Sequence, residues 1–102
     1  MLVGEGHQNI EADLSDDAQI DELVEQLPNL NGLVNNAGLT ETILTQFVKR
    51  ENIEKVLGIN TIAPILLTQK ILKKKKISCG GSIVFTCSIS GTCVAVGGNV
   101  LY

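Results

Sequence analysis

Leu33-Val34-Asn35-Asn36-Ala37-Gly38 is the stretch on which the reading of this chain turns. An apolar pair runs straight into two amides and a glycine, so a buried strand gives way to a loop here. Two asparagines at the mouth of a buried strand are costly unless their amides find hydrogen-bond partners. Gly38 lets the backbone turn or approach a ligand closely. Taken alone, Asn35 to Gly38 also fits a plain polar turn, so the surroundings must decide.

Upstream, Met1 to Gln8 reads as a glycine-containing entry loop and Asn9 to Ala12 as a short strand. Ser15 is suited to cap a helix, with Asp16 and Asp17 in the first turn, where the helix dipole favours anions. Ile20, Leu23, Val24 and Leu27 recur at i, i+3, i+4 and i+7 and mark one apolar face. Pro28-Asn29 ends that helix. Gly32 to Asn35 is the second strand and Leu39 to Thr45 a loop. A long helix is expected from Phe47 to Lys75, with Val48, Ile53, Val56, Leu57, Leu66, Leu67 and Ile71 as its apolar positions. Lys73 to Lys76 crowd its C-terminal end, where each cation is worth about 0.3–1 kcal/mol, and they read as a solvated helix end. Cys79-Gly80-Gly81 reads as a turn, Ser82 to Cys87 as a buried strand, and Ser90 to Leu101 as small, glycine-rich and irregular. The order β-α-β-α-β predicts an α/β fold with parallel strands and right-handed crossovers.

The chain has 102 residues, room for one small domain at most. A net charge of −3 argues against a nucleic-acid surface. No apolar run of about 18 residues exists, so no membrane span is expected, and no charged-then-apolar leader marks a signal peptide. Cys79, Cys87 and Cys93 are odd in number and fit no paired metal spacing, so reduced thiols in a cytoplasmic protein and no metal site are expected. Cys87 reads as strand core and the lone His7 as solvated.

Further features fall in one order. Asp13-Leu14 closes the first strand, Asn60 precedes Pro64 by four, Ser88 ends the third strand, Gly91 follows by three, and Tyr102 comes last. With Asn35-Asn36-Ala37-Gly38 they resemble the short-chain dehydrogenase/reductase family, over nearly the whole chain. The resemblance implies a partial Rossmann fold (a doubly wound parallel sheet), a single incomplete NAD(P)-binding domain over residues 1–102, and a nicotinamide cofactor. Two hallmarks of that family are missing. Gly4-Glu5-Gly6 is the only near match to a phosphate loop, without the strand and helix that would make it one. The Tyr-x-x-x-Lys motif is cut at Tyr102. The expectation is the middle of a longer reductase. In the sheet order 3-2-1-4-5-6 its strands match the third, fourth and fifth. The third is then separated from the others by a gap, and the isolated chain is expected to be unstable, oligomeric or differently paired.

The resemblance also implies roles. Asp13 accepts from the adenine amino group and Leu14 offers backbone contacts; the competing reading of Asp13 is a helix-initiating acid. Asn35, Asn36, Ala37 and Gly38 bind the adenosine side of the cofactor and steady the central strand. Pro64 has no N–H and its ring presses on the Asn60 carbonyl, so the helix kinks there, with Gly58 easing the bend. In the family that Asn backbone holds a water of a proton relay. Ser88, rather than Ser90, hydrogen-bonds the substrate carbonyl. Tyr102 is the general acid or base, its ordinary pKa near 10 lowered in the family by the lysine four residues on. The function so implied is NAD- or NADP-dependent reduction of a ketone or oxidation of an alcohol, with NADP preferred. A small-molecule or acyl-carrier-protein-bound substrate is implied, as in 3-oxoacyl-[acyl-carrier-protein] reductases, with a homo-oligomer as the full-length form. As an isolated chain it is expected to be inactive. The alternatives are a non-catalytic interaction or scaffold fragment associating through the long helix and, more weakly, a nucleotide-binding module.

Overall fold

The computed structural model describes residues 6–41 and 43–88. Helix α1 spans Asp17–Gln26, strand β1 Leu30–Asn35, helix α2 Arg50–Leu57, helix α3 Ala63–Lys73 and strand β2 Ile77–Phe85. A 3-10 turn at Thr45–Phe47 precedes α2, and a π-turn at Gly58–Ile62 joins α2 to α3. β1 and β2 are parallel neighbours, so β1, the helical pair and β2 form one strand-helix-strand crossover unit.

One face of this sheet is covered. Ile20 and Val24 of α1 pack with Ala63 and Ile71 of α3, and Leu30, Leu33 and Ile77 of the strands lean on that cluster. Each strand turns alternate residues to opposite faces, so Val34 and its register partner Val84 point away from the helices. They are 65% and 50% exposed.

Asn9 to Ala12 is not a strand. A strand needs a ladder partner for its N–H and C=O groups, and the described sheet contains only β1 and β2. The cap of α1 is Asp16, not Ser15: the Asp16 carboxylate accepts the Ala18 N–H at 3.0 Å. Ser15 is instead drawn onto Asp13, whose Oδ1 accepts its N–H at 2.9 Å and its O–H at 2.6 Å.

The single long helix is broken. The Ala63 N–H donates to the Gly58 carbonyl, five residues back, where an α-helix would use four. Pro64 brings no N–H to the Asn60 carbonyl, so the expected kink takes the form of a π-turn. The inserted residue shifts the apolar pattern by about 100° between α2 and α3. Val56 and Ile71 are therefore buried, whereas Ile53 and Leu57, expected in the core, are exposed.

β2 begins earlier than expected. The register runs Leu30↔Ile77 and then Gly32↔Ser82, two steps on β1 against five on β2. The expected turn at Cys79-Gly80-Gly81 is thus a bulge inside the strand. Gly80 takes φ +83°, and a Cβ on Gly81 would lie 2.9 Å from the Asn31 carbonyl oxygen, so both positions require glycine. Cys87 lies beyond the end of β2 and is exposed rather than core.

The lysine run is more than a solvated end. Lys70 pairs with Asp21 and Lys74 with Glu25, bracing α3 to α1. Lys76 Nζ donates to the carbonyls of Glu25 at 3.1 Å and Leu27 at 2.8 Å, which close α1. These carbonyls lack helical partners and sit at the negative end of the dipole. Lys76→Met is expected to lower the unfolding free energy by about 1–2 kcal/mol, and Lys73→Met, on an exposed side chain, by under about 0.5 kcal/mol. Urea titration of both variants checks this; equal losses would show that the Lys76 bonds carry no stability.

Candidate functional site

Parallel pairing brings the carboxyl ends of β1 and β2 to one edge, with Asn35 opposite Phe85. The Asn35 carbonyl accepts the Thr86 N–H at 2.9 Å, and Thr86 Oγ1 donates to Asn36 Oδ1 at 3.0 Å. Asn35 is buried, and its amide donates to Thr68 Oγ1 on α3 at 3.2 Å. The buried Asn35 therefore has the partner its position demands, and the exposed Asn36 has one as well. Neither threonine was singled out from the sequence, because each contact joins residues more than thirty positions apart.

Two clefts open around the loop that follows. The first, of about 530 Å³, is lined by Asp13, Leu14 and Ser15, by Gly38 and Leu39, and by Lys55, Gly58, Ile59 and Ile62 on the helical side. The second, of about 390 Å³, shares Gly38 and Leu39 and adds Asn36, Ala37, Asn60, Thr86, Cys87 and Ser88. Open α/β sheets place ligands in such crevices, outside the carboxyl ends of their strands.

The structure thus brings Asp13, Leu14 and Gly38 to one cleft, and Asn36, Ala37, Gly38, Asn60 and Ser88 to the other. Asn35 lines neither, and with Leu14, Asn36 and Ala37 it borders a separate pocket of about 220 Å³. Tyr102 lies outside the described residues, as do Ser90, Gly91 and Cys93.

Asn60 does something the sequence did not announce. Its Oδ1 accepts the Leu39 N–H at 2.7 Å and its Nδ2 donates to the Leu39 carbonyl at 2.8 Å. One amide side chain thereby satisfies both backbone groups of Leu39, a loop residue that lines both clefts. The π-turn carries Asn60, so the irregular helix is tied to the loop.

Asp13 is an exposed carboxylate whose hydrogen bonds from the Ser15 side chain, then from its backbone, hold its pKa below the ordinary value. It stays charged at neutral pH. Both bonds use Oδ1, and among the described residues Oδ2 receives none. Gly58 also lines the first cleft, and a Cβ there would meet no atom within 4 Å.

The relatives of the chain fall in one family. The family model described as short chain dehydrogenase matches residues 4–102. A 3-oxoacyl-[acyl-carrier-protein] reductase FabG of Rickettsia bellii is 33% identical over 78 residues, covering 76% of this chain and 32% of that protein. The chain thus spans about a third of the length of the curated relatives it matches. A short chain dehydrogenase of Burkholderia cenocepacia, solved in complex with NADP, superposes with a TM-score of 0.80 at 30% identity, over 91% of this chain and 39% of that one. A 4-hydroxyisoleucine dehydrogenase complexed with NADH gives a TM-score of 0.76 at 27% identity, over 90% and 43%. The crossover unit with its clefts at the strand ends is part of a Rossmann fold, and the chain belongs to the short-chain dehydrogenase family.

Proposed function

We propose that this chain carries the adenosine-binding side and part of the catalytic side of an NAD(P)-dependent oxidoreductase that reduces a ketone or oxidises an alcohol. The observation that carries the reading is the first cleft. Its volume of about 530 Å³ lies within the usual range for small-molecule sites of roughly 300–1,000 Å³, and Asp13, which lines it, keeps one carboxylate oxygen that accepts no hydrogen bond among the described residues. Asp13 accepts from the adenine amino group, Leu14 lies beside it, and Gly38 gives close backbone approach. NADP is preferred over NAD, as in the short chain dehydrogenase solved with NADP, and a 3-oxoacyl chain on acyl-carrier protein is the substrate class, by likeness to the reductase relative. Exposed Cys79 and Cys87, both free thiols, favour the reducing cytoplasm.

When bound, the nicotinamide supplies or takes up the hydride. Ser88 donates to the substrate carbonyl oxygen and stabilises the charge that develops there. Tyr102 delivers or removes the proton, and the Asn60 backbone holds the water that relays it. The Asn60 side chain meanwhile keeps Leu39, and with it the wall between the two clefts, in place.

Binding is tested with AMP and GMP by ligand-observed NMR on the 102-residue chain. Guanine presents an O6 acceptor where adenine has its amino donor. AMP is expected to bind about tenfold more tightly than GMP, and Asp13→Asn to remove most of that difference, as for one charged hydrogen bond. Equal affinities in the parent chain would sink the reading.

The 102-residue polypeptide alone is inactive in this reading. Tyr102 needs a cation to lower a pKa near 10. Lys70 and Lys73 to Lys76 approach β2 at its amino end, whereas Ser88 lies past its carboxyl end. With a ketone and reduced cofactor, absorbance loss is expected to match the blank. Turnover that Ser88→Ala abolishes would overturn this.

A second reading, association without catalysis, draws on α3. Ile65 and Leu72, two turns apart on one side of the helix, are 58% and 50% exposed. The chain is expected to run as a homo-oligomer by light scattering, with Ile65→Glu shifting it toward monomer. A strict monomer in the parent chain would exclude this reading.

A further inference from the structure

The loop after β1 is fastened to the helical wall at two points. Asn60 grips the backbone of Leu39. Two residues on, Glu41 reaches α2: its Oε1 accepts from Lys55 Nζ at 2.8 Å and its Oε2 from Asn52 Nδ2 at 3.2 Å. Asn52 is itself held, since its Oδ1 accepts the Lys49 N–H at 2.9 Å at the start of α2. The Glu41 side chain is 20% exposed against 60% for Lys55, so the carboxylate is the tucked partner of the pair. The hydrogen bond from Lys55 holds the Glu41 carboxyl below its ordinary pKa, so it is charged at neutral pH.

Lys55 lines the first cleft together with Gly38 and Leu39, whereas Glu41 does not line it. Glu41 therefore ties one wall of the cleft, the loop, to another, α2 and its π-turn. The remaining wall, from Asp13 to Asp17, has no hydrogen bond to the loop among the described residues. We propose that Glu41 is a positioning residue for the nucleotide cleft, fixing the spacing between the loop at Gly38-Leu39 and the helical wall. This rests on the reading of that cleft as the adenosine site. A ligand entering a cleft of fixed width spends less of its binding energy on ordering the walls, and Glu41 supplies that order without touching the ligand.

The test uses AMP and GMP on the 102-residue chain, with affinities corrected for the folded fraction of each variant from its thermal transition. Glu41→Gln and Lys55→Met each cut the pair from one side, and Lys55 is exposed enough that its variant folds. Each is expected to weaken AMP binding by about three- to tenfold, the loss of a charged contact in a small network. The charge swap Glu41→Lys with Lys55→Glu is expected to bind AMP more tightly than either reversal alone. AMP affinity within twofold of the parent chain in both Glu41→Gln and Lys55→Met, while Asp13→Asn still weakens it, overturns the role of Glu41 and leaves the cleft assignment standing. Failure of the parent chain to favour AMP over GMP overturns both.

Discussion

The parallel register of β1 against β2 is the constraint on which the rest depends. From Leu33↔Ile83 to Asn35↔Phe85 the two strands run in step and finish together. Residues leaving β1 and residues leaving β2, fifty positions apart in sequence, therefore emerge at one edge. The bond from the Thr86 N–H to the Asn35 carbonyl continues the ladder one step past β2. The Thr86 hydroxyl then reaches Asn36. A one-residue slip would turn Asn35 away from Thr68 and out of the core, because side chains alternate faces along a strand.

The crossover that makes this pairing possible is built around an interruption. A straight helix from α2 through α3 would present Asn60 as one more polar side chain. Pro64 denies the Asn60 carbonyl its usual donor, and the five-residue π-turn that results turns the Asn60 amide onto Leu39. π-turns inside helices occur often at functional sites. Here the irregular turn does two things together. It holds the loop after β1, and it places Gly58, Ile59 and Ile62 along the first cleft.

The same unit carries a cost. Among the described residues the sheet has two strands and helices on one face only, and Val34 and Val84 are exposed on the other. Two-stranded sheets are marginal unless they pack on something. The packing that exists is Ile20, Val24, Ala63 and Ile71 against Leu30, Leu33 and Ile77. The charged braces from Lys70, Lys74 and Lys76 to α1 tie the ends of that small core. Surface pairs of this kind contribute little singly, so Lys76, bound to helix-ending carbonyls, stands apart from its neighbours.

Local signals were legible in the sequence where the physics is local. The apolar face of α1, the strand running into Asn35-Asn36, the disturbance that Pro64 imposes and the strand before Ser88 each follow from residues within a few positions of one another. The first strand failed as a reading because a strand exists only with a partner, and Asn9 to Ala12 has none among the described residues. Cys79-Gly80-Gly81 looked like a turn because glycine marks both turns and bulges, and only the pairing on either side, Leu30 with Ile77 and Gly32 with Ser82, distinguishes them. Ile53 and Leu57 were misplaced because the π-turn rotates α2 relative to α3, and a periodicity count has no way to register an inserted residue. The sequence by itself determined the α/β class and which polar groups stand at the strand ends, since backbone preference and hydrophobic period act over short range. Only the tertiary structure decided which of those groups meet: Asn60 with Leu39, Asn36 with Thr86, Glu41 with Lys55. Those contacts depend on the crossover bringing distant segments within about 3 Å, the range over which a hydrogen bond forms.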